Sequence, residues 1–456
     1  MSRKHFGTDG VRGVANEKLT PELAFQLGQA AGRWLVDTGH TPRVVIGRDT
    51  RRSGPMLGAS LAAGYCSVGV DVVVLGIAPT PAVVYIARTG EYGMGAIISA
   101  SHNPAPDNGI KFVGHDGRKL PDEVELQIES YIDKPVDNRP TGSKVGWLES
   151  SRAEIDGYLD FLEAIVPERL EGMKVAVDGA NGAAYELGPA ILARLGAVVS
   201  LTGVSPYGMN INEEGGATKP STIQEFTVAS GADVGVAFDG DADRAVFSDE
   251  KGALINGDRT IAMWAAHHKP NPAVVVGTVM SNGGFAAYME SQGIKLERTP
   301  VGDKYVAAKI AETNAKVGGE QSGHIIFPEH QPTGDGLLTM LEVLRVLKRS
   351  GLKASDWSNS YEPWPQVLVN VEVADRGTWN SGPQVAEALE AGEKELEGRG
   401  RLNVRPSGTQ PMIRIMVEAS SYELRDRVAG NILRAMEAEA GGKVYSKVDL
   451  THALGD

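Results

Sequence analysis

The chain has 456 residues, of which 42% are hydrophobic, and its 45 Lys and Arg against 58 Asp and Glu give a formal net charge of −13 at pH 7. This acidic balance argues against general binding to nucleic acid or anionic membranes, although a local cationic cluster still allows an anionic substrate. The single cysteine excludes an intramolecular disulfide and a cysteine-based metal cluster, and without a signal-like or membrane-spanning apolar run we expect a cytoplasmic protein.

The first domain is predicted over residues 1–153. Thr20 and Pro21 form a helix start, with Thr as the cap and Pro in the first turn. Apolar strands and helical segments then alternate, which predicts parallel strands joined by right-handed crossovers. Before them, the glycine-rich loop at 6–13 contains Arg12, whose two parallel donors suit a phosphate. A surface turn explains that loop equally well.

A polar loop follows the apolar segment at 95–98. Ser101 and His102 lie where this predicted strand opens into the loop, and Lys111 follows shortly after. In α/β folds that edge of the sheet is where ligands bind. A hydroxyl near an imidazole and a cation suits a nucleophile or a phosphate carrier. A polar turn with a capping serine is the structural alternative.

The second domain, predicted over 154–253, ends in an acidic loop. Asp239, Asp241 and Asp243 follow a buried strand, with small residues between them. Three carboxylates at alternate positions can converge on one hard cation, Mg²⁺ or Ca²⁺. The pattern is not an EF-hand, because the later Gly and Glu positions of that motif are missing. The alternative is a solvated acidic turn.

The third domain, predicted over 254–365, contains a loop at 318–324. Its Glu320 and Ser322 are two residues apart, so both side chains face one ligand if the backbone is extended. Carboxylates are strong acceptors for the hydroxyls of a sugar. A purely structural loop has the same composition.

The fourth domain, predicted over 366–456, has half-buried alternating strands and a final helix, which indicate a small α+β layer. Arg405, Ser407 and Thr409 lie in one tight loop, and Arg414 follows it. Hydroxyls, a glycine and cations together form a phosphate cradle. An ordinary Pro/Gly turn is the alternative. We therefore expect an α/β protein with four domains around a central cleft, the last one smaller and α+β.

Two motifs together resemble the α-D-phosphohexomutase superfamily: Ser-Ala-Ser-His-Asn-Pro at 99–104 and Asp-Gly-Asp-Ala-Asp-Arg at 239–244. The start at 6–13 and the loop at 319–324 are more similar to the branch that acts on glucosamine phosphates than to the phosphomannomutase/phosphoglucomutase branch. The motifs occur in order from residue 6 to residue 414, so the resemblance covers the whole chain.

The resemblance implies an isomerase of the phosphotransferase type. It would interconvert glucosamine 6-phosphate and glucosamine 1-phosphate through a phosphoserine and a 1,6-bisphosphate, a step toward UDP-N-acetylglucosamine and peptidoglycan precursors. It also implies one Mg²⁺ per chain, a hexosamine 1,6-bisphosphate as activator and intermediate, and a small sugar phosphate as the partner. We expect no nucleic acid and no membrane as partners, and a monomer or a homodimer.

The site residues that the resemblance implies fall into three groups. The catalytic group is Ser101, His102, Arg12, Lys111 and His324. The metal ligands are Ser101, as its phosphoserine, with Asp239, Asp241 and Asp243. The substrate-binding group is Arg244, Gly302, Glu320, Ser322, Arg405, Ser407, Gly408, Thr409 and Arg414. The chain has Gln410 where the family usually has Glu, and we expect phosphate binding to survive because Gln removes an anion from the loop.

Three other functions fit parts of this pattern. A phosphomannomutase or phosphoglucomutase would use the same scaffold on other sugars. A sugar-phosphate-binding regulator without catalysis would show damage at Ser101 or in the aspartate triplet, and the sequence shows none. A phosphatase would hydrolyse the phosphoserine instead of passing the phosphoryl group to a sugar.

Overall fold

The computed structural model describes residues 4–7, 9–268, 270, 272–373, 375, 377–407, 412–452 and 454. In this part of the chain, helices and strands alternate through four sheets. The α-helices are α1 (Pro21–Asp37), α2 (Gly54–Cys66), α3 (Thr80–Thr89), α4 (Asp122–Ile132), α5 (Ala153–Ile165), α6 (Leu187–Arg194), α7 (Ser221–Ser230), α8 (Gly257–His267), α9 (Gly283–Ser291), α10 (Asp303–Thr313), α11 (Gly336–Ser350), α12 (Ala354–Ser358), α13 (Pro383–Leu396) and α14 (Tyr422–Ala440). The strands are β1 (Val11–Val14), β2 (Arg43–Arg48), β3 (Asp71–Ile77), β4 (Met94–Ile98), β5 (Asp107–Gly114), β6 (Leu148–Ser150), β7 (Lys174–Asp178), β8 (Val198–Thr202), β9 (Val234–Phe238), β10 (Ala245–Asp249), β11 (Leu254–Ile255), β12 (Val274–Thr278), β13 (Lys295–Thr299), β14 (Gly318–Gly319), β15 (Ile325–Ile326), β16 (Gln366–Glu372), β17 (Gly400–Pro406), β18 (Met412–Ala419) and β19 (Lys443–Asp449).

The first sheet has the strand order β1-β5-β4-β2-β3-β6. As the alternating pattern predicts, β2 pairs in parallel with β3 and β4. In contrast, β5 runs antiparallel to β4 and to β1. The short loop between β4 and β5 explains the reversal, because a parallel return needs a crossover of about a dozen residues or more. The catalytic-loop candidate is therefore a tight turn at the carboxyl end of β4.

The second and third sheets repeat this mixed arrangement. In the second, β7 pairs in parallel with β8 and β9, and β10 returns antiparallel to β9 after the acidic loop. In the third, β12 pairs in parallel with β13 and β14, and β15 returns antiparallel to β14. In each of the three α/β sheets, a candidate site loop thus leaves the carboxyl end of a parallel-paired strand, where ligands bind in such sheets.

One continuous apolar core joins the three α/β sheets. It contains Val45 from the first sheet, Val177 from the second and Val275 from the third, together with Leu162 of α5 and Leu341 of α11. All five side chains are fully buried. Because packed interiors resist deformation, this shared core holds the three sets of loops in fixed relative positions.

The fourth sheet has a separate core. Its order is β17-β18-β16-β19 and every pair in it is antiparallel. Val369, Ile415 and Ile432 of α14 are buried together in this core. The prediction of a smaller α+β layer at the C-terminal end is confirmed. The four sheets follow the four predicted domains except at β11, which pairs in the second sheet although it lies in the range predicted for the third domain. The exact domain limits stay a prediction.

Local signals predict the start of one helix correctly and the start of another too early in the chain. Thr20 accepts the N–H of Leu23 and α1 begins at Pro21, as predicted. The glycine-rich turn after β7 is expected to lead directly into a helix, but α6 begins only at Leu187. Asp178 accepts N–H groups from Ala180 and Gly216, which holds a turn there instead. Among the described helices, none has the length and apolar character needed to cross a membrane.

Candidate active site

Ser101 is buried in the loop after β4, with 3% of its surface exposed. Its hydroxyl donates to Asp239 Oδ2 at 2.7 Å, and its Oγ lies 3.3 Å from His102 Nδ1. The backbone of Ser101 has a φ of 51°, a left-handed conformation that is unfavourable for a residue with a side chain. A serine in this conformation needs strong support from its surroundings.

Two buried side chains supply that support. Arg51 Nη2 donates to the carbonyl of Ser101 at 2.8 Å, and Asn212 Nδ2 donates to the same oxygen at 2.9 Å. Arg51 is itself fixed by Asp49, whose Oδ2 lies 2.9 Å from the guanidinium Nε. Sequence reasoning did not assign Arg51 or Asn212 to the site. The signal was available for Arg51, because it follows the carboxyl end of β2 beside the β4 loop.

The three aspartates of the loop after β9 converge next to Ser101. Asp239, Asp241 and Asp243 each offer one carboxylate oxygen, and these oxygens all lie within 4.8 Å of one another. The loop approaches the serine so closely that a Cβ on Gly240 would lie 2.5 Å from the carbonyl oxygen of Ser101. Only glycine fits there, so the small residue between two aspartates is what lets the two loops meet.

Thr80, at the start of α3, anchors the middle aspartate. Its hydroxyl donates to Asp241 Oδ2 at 2.7 Å, and its N–H donates to the carbonyl of Asp241 at 2.9 Å. Thr80 belongs to the first sheet's layer and Asp241 to the second's, so this contact fixes the metal-site candidate relative to the serine loop. No sequence signal marked Thr80.

The pKa values of the three aspartates are shifted in different directions. Burial, with the neighbouring Asp243 and Asp241, raises the pKa of Asp239 well above its usual value. Burial and Asp241 also raise the pKa of Asp243. Burial alone would raise the pKa of Asp241 as well, but Lys111 and the Thr80 hydroxyl lower it below its usual range. The cluster thus concentrates negative charge that the protein's own cations only partly compensate.

The triplet fits a hard divalent cation. Asp241 Oδ1 and Asp243 Oδ1 are buried and have no hydrogen-bond partner. A buried carboxylate oxygen without a partner is costly, and an oxygen-only donor set suits Mg²⁺. The three aspartates implied by the resemblance therefore come together as a ligand set, with Ser101 Oγ beside them.

Two predicted phosphate-contacting cations lie on the same side of the cluster. Lys111 Nζ is 3.2 Å from Asp241 Oδ2 and 3.2 Å from Asp9 Oδ2. Arg12 forms an ion pair with the same Asp9 carboxylate. Burial alone would lower the pKa of Lys111, but Asp241 and Asp9 raise it above its usual value, so the ammonium stays charged. Lys111 therefore serves here as a fixed cation.

Two further predicted residues flank Asp243. His324 Nε2 lies 4.0 Å from Asp243 Oδ2, and Arg244 Nε lies 3.9 Å from Asp243 Oδ1. The Arg244 N–H also donates to Asp239 Oδ1 at 3.2 Å. His324 is buried and neither ring nitrogen has a hydrogen-bond partner. An imidazole held without a partner beside an acidic cluster is available to a ligand.

The loop between β14 and β15 positions Glu320. Glu320 Oε1 accepts the N–H of Gly302 at 3.0 Å, and Gly302 has a φ of 131°, which a side chain would disfavour. Glu320 and Ser322 are half-buried, whereas Gln321 between them is buried. Contrary to the prediction, the backbone is not extended here, because Gln321 and Ser322 form a turn in which the N–H of Gly323 donates to the carbonyl of Glu320 at 3.0 Å.

The C-terminal phosphate loop is described only in part. Arg405 of β17 and Arg414 of β18 are direct cross-strand partners, and the N–H of Ser407 donates to the carbonyl of Met412 at 2.8 Å. Like charges directly opposite each other destabilise a sheet, so this pair is better explained by an anion than by folding. Gly408, Thr409 and Gln410 lie outside the described residues.

Four family models match this chain in order. The phosphoglucomutase/phosphomannomutase α/β/α domains I, II and III match residues 3–139, 156–252 and 256–364, and the C-terminal domain of the same family matches residues 368–435. The chain belongs to the phosphoglucomutase/phosphomannomutase family. The predicted membership of the phosphohexomutases is confirmed, and the chain is therefore an isomerase of the phosphotransferase type.

Individual relatives agree with this assignment. The chain is 49% identical over 442 residues to the phosphoglucosamine mutase of Desulforamulus reducens, covering 94% of this chain and 100% of that protein. A phosphoglucomutase/phosphomannomutase family protein from Burkholderia thailandensis has a similar structure, with 26% identity, a TM-score of 0.80 and coverage of 96% and 98%. The N-acetylphosphoglucosamine mutase of Aspergillus fumigatus, solved in complex with GlcNAc-6P and magnesium, shares the fold at 19% identity, a TM-score of 0.64 and coverage of 95% and 96%.

Proposed function

We propose that this mutase interconverts glucosamine 6-phosphate and glucosamine 1-phosphate, with Ser101 as the phosphoryl carrier. The observation that carries the proposal is the position of the Ser101 hydroxyl, 2.7 Å from an aspartate triplet whose buried oxygens include two without a partner. The 49% identity to a phosphoglucosamine mutase supports the choice of the amino sugar.

In the transfer step, a hydroxyl of the sugar monophosphate attacks the phosphorus of phosphorylated Ser101. The bond from phosphorus to Ser101 Oγ breaks, a bond to the sugar oxygen forms, and the hydroxyl proton passes on balance to Ser101. The product is the 1,6-bisphosphate. After it turns over, its other phosphoryl group returns to Ser101 by the reverse of this step, and the isomeric monophosphate leaves.

The chain's own residues align the reactants and stabilise charge, which is most of what phosphoryl transfer requires. Asp239, Asp241 and Asp243, with an oxygen of the phosphoserine, would hold Mg²⁺, which supplies charge neutralisation on the transferred group when bound. We propose that Lys111 and Arg12 also stabilise the negative charge of the transferred group, because they lie beside Asp241 and Asp9. The remaining predicted residues at the serine and the acidic loop are His102, Arg244 and His324.

The other half of the site would bind the sugar and its idle phosphate. We propose that Glu320, oriented by Gly302, and Ser322 accept and donate hydrogen bonds to sugar hydroxyls. Arg405, Ser407, Gly408, Thr409 and Arg414 would hold the phosphate that is not being transferred. One cradle for the idle phosphate lets a single serine serve both ends of the sugar. We further propose a cytoplasmic location, as a monomer or a homodimer, where sugar phosphates are available.

A ³¹P NMR time course tests this function. Phosphorylated protein is incubated with Mg²⁺, a trace of hexose 1,6-bisphosphate and one of three substrates: glucosamine, glucose or mannose 6-phosphate. We expect the glucosamine 1-phosphate signal to grow fastest. Faster conversion of glucose or mannose 6-phosphate would move the assignment to a phosphoglucomutase or phosphomannomutase, and inorganic phosphate without any 1-phosphate would indicate a phosphatase.

The phosphate cradle has its own test. Arg405→Ala is expected to raise the KM for glucosamine 6-phosphate about tenfold or more, because it removes a charge-assisted hydrogen bond. Arg427→Ala is the matched control, since Arg427 pairs with Glu395 on the outer surface of the same layer. Steady-state kinetics on both variants make the comparison, and an unchanged KM in Arg405→Ala would remove Arg405 from the cradle.

A further inference from the structure

Five side chains of alternating charge, which we call the charge chain, connect the three α/β layers: Asp303, Lys119, Asp9, Lys111 and Asp241. Lys119 Nζ lies 2.6 Å from Asp303 Oδ2 and 2.6 Å from Asp9 Oδ1. Lys111 Nζ then joins Asp9 Oδ2 to Asp241 Oδ2, at 3.2 Å from each. The three central residues belong to the first sheet's layer, Asp241 to the second's and Asp303 to the third's.

The charge chain leads outward from the metal-site candidate. The side chain of Asp241 is 1% exposed and that of Lys111 is 9% exposed, whereas those of Asp9, Lys119 and Asp303 are 26%, 37% and 26% exposed. Burial alone would raise the pKa of Asp303, but Lys119 and His324 lower it, so the outer ion pair stays charged. An ion pair with this much solvent access is of modest strength, and it can therefore open and close.

The two ends of the Lys119–Asp303 pair are each attached to a substrate loop. Asp9, on the Lys119 side, contacts Arg12 and Lys111. Asp303 is the first residue of α10, and the preceding residue, Gly302, donates its N–H to Glu320. The pair thus joins the loop proposed to hold the transferred phosphate to the loop proposed to hold the sugar.

Other contacts between these two layers include hydrogen bonds at α3, away from the charge chain, and a more exposed pair beside Asp303, in which Lys304 Nζ lies 4.0 Å from Asp122 Oδ1. Gln331 Nε2 donates to the carbonyl of Pro81, and Arg88 Nη2 donates to the carbonyl of His330. These contacts, with the shared apolar core, hold the layers together whether or not Lys119 is present. Substitution of Lys119 should therefore loosen the contact between the two substrate loops and leave the fold intact.

We propose that Lys119 and Asp303 are positioning residues that clasp the phosphate loop to the sugar loop and so keep the bisphosphate intermediate in the site while it turns over. This inference rests on the proposed function. During turnover the intermediate is bound by neither of its two productive sets of contacts, and the clasp, which at 2.6 Å is shorter than the pair of Lys304 with Asp122, helps to hold the loops together in that interval. Neither residue is required for the transfer of the phosphoryl group itself.

The test follows a labelled phosphoryl group through one turnover. Protein carrying ³²P on Ser101 is mixed with Mg²⁺ and unlabelled glucosamine 6-phosphate, and the reaction is stopped at early times. If the intermediate stays bound, the label appears in glucosamine 1-phosphate; if it escapes, the label appears in free 1,6-bisphosphate. Anion-exchange chromatography measures the ratio of the two.

We expect Lys119→Met to raise the fraction of label released as bisphosphate about two- to fivefold, the range expected from losing a partly exposed ion pair. The rate at which label leaves Ser101 should stay within about twofold of the parent. Lys119→Arg should recover most of the retention, because it keeps the charge. The matched control is Lys309→Met, since Lys309 pairs with Glu312 within α10 and contacts neither substrate loop.

Asp303→Asn tests the pair from its other side. It should release bisphosphate as Lys119→Met does, and the double variant should release no more than either single variant, because both remove the same interaction. The clasp would be overturned if Lys119→Met released no more bisphosphate than Lys309→Met. It would also be overturned if the effects of the two single substitutions multiplied in the double variant. Failure of the parent protein to convert glucosamine 6-phosphate at all would instead overturn the proposed function.

Discussion

Ser101 lies near two kinds of carboxylate site, which differ in their hydrogen-bond partners. Asp49 is fully buried, and its carboxylate is paired with Arg51 and accepts the Ser99 hydroxyl at 2.6 Å. In the triplet, Asp239 and Asp241 are buried and the Asp243 side chain is 15% exposed, but two carboxylate oxygens of the triplet have no hydrogen-bond partner.

This difference distinguishes a carboxylate that stabilises the structure from carboxylates that bind a ligand. A buried charge with a complete set of partners holds its surroundings in place, as Asp49 does through Arg51 and the Ser101 carbonyl. A buried charge with missing partners has a cost that folding does not offset, and a ligand has to offset it. Burial alone would not have distinguished the two groups; the hydrogen-bond partners do.

The strongest test of this comparison is at the serine between the two groups. Ser101→Ala should abolish conversion of glucosamine 6-phosphate, because no other group carries the phosphoryl. The thermal unfolding midpoint should change little, since a loop hydroxyl contributes little packing. Stopped assays with labelled substrate measure the loss. Appreciable turnover in this variant would refute the phosphoserine mechanism.

Asp241→Asn addresses the group with missing partners. The amide keeps an oxygen for the Thr80 hydroxyl but weakens a divalent cation site, so turnover should fall by about a thousandfold or more. Titration with Mg²⁺ should raise the unfolding midpoint of the parent and not that of the variant. Asp133→Asn, an exposed carboxylate, is the control. A parent-like response to Mg²⁺ would remove the triplet from the metal site.

Arg51→Met addresses the group with complete partners. It leaves Asp49 charged and buried without a cation, and such losses cost about 3–5 kcal/mol of stability. We expect a clearly lower unfolding midpoint that Mg²⁺ does not restore. Arg43→Met, at the start of the preceding strand β2, is the matched control, because its partner Glu149 is exposed and the expected loss is below about 1 kcal/mol. Equal midpoints for the two variants would contradict the assignment of Asp49 and Arg51 to support.

Asp335 is an intermediate case, because its partners are neutral. It accepts hydrogen bonds from the Tyr158 hydroxyl and the Leu338 N–H. Burial raises the pKa of Asp335 to about 6 from 3.8. The folded state therefore favours the protonated acid, and the stability that this proton contributes is fully present below about pH 4 and is lost as the pH rises through about 6.

Asp335→Asn should remove that dependence. The parent should lose up to about 3 kcal/mol between pH 4 and pH 7 at this residue, and the variant should show a smaller fall of its unfolding midpoint over the same range. Thermal unfolding at several pH values makes the comparison. Identical pH profiles for the two proteins would show that Asp335 titrates normally in the folded state.

Much of the molecule follows from short-range signals in the sequence. The alternation of apolar segments predicts the α/β layers, and small polar residues at strand ends mark the loops of Ser101 and Asp239. These signals are local, because a cap, a turn or a strand pattern needs only neighbouring residues. The motif order also indicates the family, which the four family models confirm.

Only the tertiary structure decides how the loops meet. Thr80 and Asn212 contact residues far away in the chain, and no local pattern distinguishes them from other polar side chains. The same holds for Lys119, whose two carboxylate partners come from two different layers. Which buried carboxylates have partners and which have none depends on the packing of whole sheets against each other, so the sequence determined the loops of the site and the tertiary structure determined their electrostatics.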